Sequence, residues 1–311
     1  MSLEKAVEYL LARGHLPILY WLKKDILCVP ADRELKNLEK YGDRIRILEE
    51  QLPDGSWREK RAPGPSGRAS NPAIAPEVLT LQNLYRLYDF ACNSETAGLR
   101  NAIHFLFGVQ SRDGCFRTGT NDDHSLTFHA LNLEILCRFG FDGDARVEKG
   151  FRWLLRQGRG KGEWLASCGR RDAAKPIGPK GDKTLFCAGM ALRALSVSPS
   201  RRGQKEVQRL GEWLQDRLLK PDASLDPIAK RSWLEISYPF WSAGLLSNLD
   251  TLSRIGFKAD RANIRKGLGW LLRRQHPEGH WESSRNRVAA EDHLWTTLAV
   301  LRVFKSFELL K

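Results

Sequence analysis

A short signature recurs along this chain at nearly constant spacing: a glutamine, three residues, a glycine, one residue, then an aromatic ring. Gln51-Leu-Pro-Asp-Gly55-Ser-Trp57 matches Gln275-His-Pro-Glu-Gly279-His-Trp281 position for position. Gln110 to Phe116 follows the same rule through Gly114, and Gln157 to Trp164 follows it with one extra residue before Gly162. Trp213-Leu-Gln-Asp-Arg217 is a degenerate copy, with Arg217 in the glutamine slot. The anchors at 51, 110, 157, 217 and 275 lie 59, 47, 60 and 58 residues apart. A fixed period means one structural unit laid down repeatedly, each copy burying its apolar face against the next.

Each unit holds two helices of different character. The first is amphipathic, with a narrow stripe such as Ile45 and Leu48, or Phe151, Leu154 and Leu155, set among Arg, Lys and Glu. The second is apolar nearly all round: in 123–140, Leu126, Ala130, Leu133 and Cys137 form one stripe and Phe128, Leu131 and Ile135 another. A helix apolar on several faces must be buried on several faces. The spacing therefore predicts inner helices near 76–92, 123–140, 183–196, 238–256 and 292–309, wrapped by the amphipathic ones. Gly140 and Gly256 are expected as left-handed caps. Residues 1–40 read as an N-terminal helical segment, and a helix follows the break at Pro30 over 33–51. Strand signals are absent.

The longest connections fall at one phase of the repeat, after the Gly-x-aromatic and before the inner helix: 58–75, 165–182, 220–237 and 282–291. Insertions at one phase lie on one face, the usual binding face of a repeat protein. That phase also turns the positive end of every inner helix toward the same rim, which suits an anionic group.

Composition bounds the class. Of 311 residues, 42% are hydrophobic and ten are Trp, enough for a large core. The charged N-terminal stretch lacks the apolar region of a signal peptide, and no long apolar run follows, so a soluble, cytoplasmic protein without a transmembrane segment is expected. The six scattered cysteines, without a CxxC pair, read as reduced thiols. The net charge of +13 suits a polyanionic partner, but no basic-aromatic motif of a nucleic-acid module accompanies it, so sequence-specific nucleic-acid binding is not expected.

The Gln-x3-Gly-x-Trp segments resemble the repeats of squalene and oxidosqualene cyclases and of protein prenyltransferase β-subunits, from about residue 40 to 305. The resemblance implies an all-α fold, an α/α toroid of about five helical-hairpin repeats. It would form a single domain over 1–311, with an apolar cavity for an isoprenoid at its centre. In the cyclases a DxDD motif protonates the substrate. Here Thr120-Asn-Asp122-Asp123 stands at that place, with Asp122 as the implied acid, Asp123 as its partner and Thr120 where the first Asp would be. Two adjacent carboxylates in a dry cavity can share one proton at neutral pH. In the prenyltransferases an Asp-x-Cys pair and a later His bind zinc. Here Glu235-x-Ser237 and Asp292-His293 stand in those places, so Glu235 and His293 remain as candidate metal ligands without the thiolate.

Around the cavity the candidate substrate-binding residues are the inner-helix aromatics Tyr85, Phe128, Phe186, Trp241 and Trp295, which would cradle a carbocation or merely fill the core. Arg170 and Arg171, in a Pro/Gly-rich loop on the binding face, would clamp a diphosphate or lie solvated. Acids at inner-helix starts, Glu77 and Asp292 among them, serve as caps in the plainer reading. A lone His on an apolar face, such as His129, is more often a satisfied core residue than a ligand. The leading expectation is an isoprenoid-handling protein resembling class II terpene cyclases. The alternatives are a non-catalytic toroid binding a lipid or protein partner, and a prenyltransferase-like protein with a degraded metal site.

Overall fold

A computed structural model of the chain describes residues 2–59, 74–118, 126–159, 163–164, 184–220, 233–241, 243–284 and 290–310. The regular secondary structure of these residues is helical apart from short ladders in two signature turns, Gly158–Arg159 against Glu163–Trp164 and the single bridge Gln110 to Phe116. The outer helices are α1 (Leu3–Arg13), α4 (Gly42–Glu49), α6 (Leu99–Gly108), α8 (Ala145–Gln157), α10 (Lys205–Gln215) and α12 (Ala262–Leu272). The inner helices are α2 (Leu16–Trp21, prolonged by a π-helical stretch Leu22–Leu27), α5 (Pro76–Asp89), α7 (Leu126–Arg138), α9 (Thr184–Ser196), α11 (Leu245–Arg254) and α13 (Ala290–Ser306). The short α3 (Asp32–Leu38) links the first pair to α4.

Inner helices pack in sequence order: α5 on α7, α7 on α9, α9 on α11, α11 on α13, and α13 on α2. α2 in turn meets α5, where the Trp21 indole N–H donates to the Asp89 carbonyl at 2.7 Å and its ring stacks on Tyr88. The architecture is an α/α toroid. The five signature repeats supply five hairpins, and the N-terminal α1 and α2 add a sixth.

Local sequence explains the two layers. In α7 every residue from Phe128 to Leu136 is buried, as a helix surrounded by neighbours requires. In α8, Val147, Phe151 and Leu154 are buried, while Leu155, at the edge of the expected stripe, is exposed. In α4 it is Ile47 that is buried, and Ile45 faces solvent. Gly140 and Gly256 end α7 and α11 at φ of 88° and 89°. The N–H groups of Phe141 and Phe257 then bond back to Leu136 and Leu252, as left-handed caps dictate.

Two boundaries differ from expectation. The helix expected over 33–51 is two helices, with turns at Lys40 and Tyr41. The inner helix expected from Tyr238 starts at Leu245, because Pro239 lacks an N–H and disfavours helical backbone at Tyr238. Residues 235–241 run as irregular chain instead, and Ile236 exchanges hydrogen bonds with Ser284.

The signature itself is a joint between successive outer helices. Gln51, Gln110 and Gln275 each donate from Nε2 to the carbonyl of the glycine four residues on. Each also donates to a carbonyl at the start of the next outer helix: Gly98, Arg146 and Ser2 respectively, all at 2.9 Å. The glycines press against that helix three residues further along. A Cβ on Gly55, Gly114 or Gly279 would meet the carbonyl oxygen of Asn101, Lys149 or Lys5 at 2.2, 2.6 or 2.5 Å. Trp57 and Trp281 donate their indole N–H to Ile47 and Leu271, pinning the turn to its own helix. Trp233 does the same to Leu218, so the degenerate repeat keeps its tryptophan behind a long insertion.

Candidate functional site

The predicted binding rim, where the inner helices begin, carries a cavity of about 470 Å³. Val78 and Leu81 of α5, Phe128 and Leu131 of α7, Trp241 and Thr118 line it. The volume falls within the range of roughly 300–1,000 Å³ typical of small-molecule sites, and the walls are mostly apolar. Two of the expected aromatics, Phe128 and Trp241, thus border one space.

Below this cavity the lumen is filled by the irregular segment 238–241. Trp241 meets Tyr85 edge-on with ring centres 4.9 Å apart, and Tyr238 stacks on Trp295 at 5.6 Å. Phe240 lies beneath the Arg193 guanidinium at 4.5 Å. Tyr85 and Trp295 therefore pack in the lumen, and half-buried Phe186 packs against the general core.

Under the aromatics lies a buried polar network. Glu134 accepts from Arg193 Nε and Nη2 at 2.5 and 2.6 Å, from Arg138 at 2.8 Å and from the Tyr85 hydroxyl at 2.9 Å. Burial would raise the pKa of Glu134, but the two guanidiniums outweigh it and hold the carboxyl at about 2. Tyr238 donates its hydroxyl to Asp89, whose carboxyl burial pushes up to about 6 against the opposing pull of that bond and of Arg302. Burial also raises the Tyr85 and Tyr238 phenols, with Glu134 and Asp89 adding to the shift.

At the far rim, where the inner helices end, a second cavity of about 390 Å³ is lined by Lys24, Arg138, Arg254, Arg302 and Lys305 with Asp25 and Asp250. Cations there complement the carbonyl ends of the inner helices. Sequence reasoning missed this network. A signal existed in the four-residue spacing of Glu134 to Arg138 and Asp250 to Arg254, inside helices that are otherwise largely apolar.

Asp122, Asp123, Arg170 and Arg171 lie outside the described residues. Thr118 and Leu126 bracket the carboxylate doublet, and Thr118 borders the apolar cavity. Glu235 and His293 sit on adjoining segments, since Ile236 bonds Ser284 while His293 Nδ1 accepts the Ser283 N–H at 3.0 Å. Among the described residues, no group of three ligating side chains includes either of them. Glu235 does not precede a helix but stands in the irregular chain, for the reason given for Pro239. His129 is a joint residue: Nδ1 accepts the Phe116 N–H, and Nε2 faces the Gly150 carbonyl, both at 3.0 Å. Among the described residues, Cys28, Cys92 and Cys137 are free thiols. No helix among the described residues is long and apolar enough to cross a membrane.

No family model and no curated protein matches the chain. Solved structures similar in shape include the type II terpene cyclase MstE from Scytonema, 13% identical, covering 89% of this chain and 99% of that one at a TM-score of 0.41. An α-amylase from Clostridium perfringens is 12% identical over 94% of this chain and 86% of its own, at 0.49. A family 76 glycoside hydrolase from a bovine Bacteroides thetaiotaomicron strain is 12% identical over 94% and 67%, at 0.48. Likenesses at these identities and scores carry no argument about chemistry.

Proposed function

We propose that the protein handles an isoprenoid-like molecule, whose apolar chain enters the cavity at the rim where the inner helices begin. The supporting observation is that cavity itself: about 470 Å³, walled by Val78, Leu81, Phe128, Leu131 and Trp241, with Thr118 leading into the segment that carries Asp122. In this reading Asp122 is the proton donor to an alkene and Asp123 holds the shared proton in place. On the same reading the rings of Phe128 and Trp241, which line the cavity, would stabilise positive charge developing on the chain. Arg170 and Arg171 would meet a diphosphate, if the substrate carries one. The test is incubation of the purified chain with polyprenyl diphosphates and their epoxides. Cyclised product is expected from the wild type and none from Asp122→Asn, whose circular dichroism and melting should match the wild type. Substrate returned unchanged by the wild type overturns the catalytic reading.

A second reading, a toroid that holds a lipid or a protein partner without turnover, draws support from the filled lumen. Tyr238, Phe240 and the Glu134 network occupy the axis below the cavity, leaving a shallow apolar cup rather than a deep one. Native mass spectrometry distinguishes the two: a co-purified lipid without conversion of added substrate favours holding over chemistry.

A further inference from the structure

The three well-formed signature turns share one backbone but not one chemistry. Each is closed by the same pair of hydrogen bonds: Leu52 to Ser56, Ser111 to Cys115 and His276 to His280, and from each glycine back to the first of these residues. In two turns the acid between them completes the turn. Asp54 accepts from the N–H and hydroxyl of Ser56, and Asp113 accepts from the Ser111 hydroxyl and the Cys115 N–H. In the third turn the corresponding positions are His276, Glu278 and His280, all metal-ligand types.

Their ligand atoms all lie within 4.8 Å of one another. The His276 and His280 rings stand 4.4 Å apart, and His280 is only 8% exposed. Nδ1 of His280 is buried without a hydrogen-bond partner, an arrangement that is costly unless something is there to bond it. Three ligands around one zinc-class ion, each about 2.0–2.2 Å from it, stand about 3.4 Å apart. The side chains therefore need to close by at most about 1.4 Å, within the reach of exposed Glu278. That carboxylate otherwise makes a 3.5 Å pair with Arg13, both groups half-exposed.

We propose that His276, Glu278 and His280 form a binding site for one divalent transition-metal ion of the zinc class. Imidazole and carboxylate are the donors such an ion prefers, and a water completes its tetrahedron on the open side. The site sits on the joint that closes the ring. Gln275 bonds Ser2, Gly279 abuts Lys5, and Tyr9 of α1 stacks on His280 at 4.6 Å. The ion would thus clip the last repeat to the first helix. Burial, with the neighbouring imidazoles His276 and His293, lowers the pKa of His280. Facing it are His293 at 5.9 Å between ring centres, Tyr9, and the carboxylates Glu278 and Glu282. His293 keeps its Nδ1 on the Ser283 N–H and is not one of the ligands.

The test is titration of the EDTA-stripped full chain with Co²⁺ and then Zn²⁺. One Co²⁺ per chain is expected, with the visible absorption of a four- or five-coordinate ion, displaced by Zn²⁺. The melting temperature should rise with saturation, since the ion binds only the folded joint. His276→Ala should weaken binding by at least about 100-fold, while His293→Gln leaves it unchanged. His276 is only partly buried, so its variant carries the test even if His280→Gln fails to close the ring; circular dichroism without metal checks its fold. The proposal is overturned if the wild type shows no such absorption. Binding that survives His276→Ala, or that is lost in His293→Gln instead, overturns it equally.

Discussion

The side-chain amide of Gln275 donates to the backbone carbonyl of Ser2 at 2.9 Å, tying the last repeat to the first helix. Gln51 and Gln110 make the same bond one helix further round, to Gly98 and Arg146. The three joints are copies of one another, so their parts can be tested by exchange between repeats.

Two glycines with the same kind of backbone should respond differently to a methyl group. Gly140 has φ of 88° and open space around its absent Cβ, so Gly140→Ala should cost only the left-handed strain, about 1–2 kcal/mol. Gly279 has φ of 103° and the Lys5 carbonyl 2.5 Å from a Cβ, so Gly279→Ala adds a clash and should cost about 3 kcal/mol or more. Urea unfolding of the two variants measures the difference; equal losses would show that the joint has no close approach.

His129 does in its repeat what Thr80 and Thr297 do in theirs, since Trp57 and Trp281 donate their backbone N–H groups to those hydroxyls. His129→Ala leaves the buried Phe116 N–H and the Gly150 carbonyl without that partner and should destabilise by about 2–4 kcal/mol. His129→Thr restores the first bond and should recover a measurable part of the loss. Thermal melts of the pair decide it: a threonine no better than alanine rules out the exchange.

Acid and alkali should act on the lumen with opposite signs. The folded pKa of Glu134 is depressed to about 2, so its contribution is present above its unfolded value of about 4.5 and is lost as pH falls toward 2. That of Asp89 is raised to about 6. Its contribution is present below its unfolded value of about 3.8 and is lost as pH rises through 6. Asp89→Asn should therefore flatten stability between pH 4 and 7 and melt higher than the wild type above pH 7. A wild-type-like slope over that window in the variant counts against a buried, proton-accepting Asp89.

Removing Glu134 strands two guanidiniums. Glu134→Ala should cost about 3–5 kcal/mol, far more than loss of an exposed pair such as Arg100 with Glu95, worth about 0–1 kcal/mol. Chemical denaturation of both variants at pH 7 gives the comparison, and similar losses would mean that the pair is solvated.

Bulk placed in the apolar cavity should displace its ligand without unfolding the ring. Val78→Trp, at a half-buried lining position, should weaken binding of a prenyl-chain probe at least about tenfold while melting changes little. Isothermal titration reads the affinity, and an unchanged value would move the ligand to another part of the molecule.

The helical, two-layer build was legible from residues alone because its causes are local, whereas closure into a ring was implied only by the family resemblance. The period of the signature, the apolar faces of 126–138 and the glycines at 140 and 256 act through neighbours a few residues away. The sixth hairpin was not legible, because the glutamine that holds α1 lies 273 residues from Ser2. Nor was the site. By sequence pattern alone, Tyr85, Phe128, Trp241 and Trp295 read alike as inner-helix aromatics, although Trp241 lies in the irregular chain before α11. Only the packing of the ring places Phe128 and Trp241 at a cavity and sends Tyr85 and Trp295 into the lumen. Glu134 is neutralised by Arg193, 59 residues away, and Asp89 meets Tyr238 across 149. A sequence determines which face of each helix avoids water, since that is written in its own period. Which charges meet inside depends on how six hairpins close on one another, and tertiary structure alone decides that.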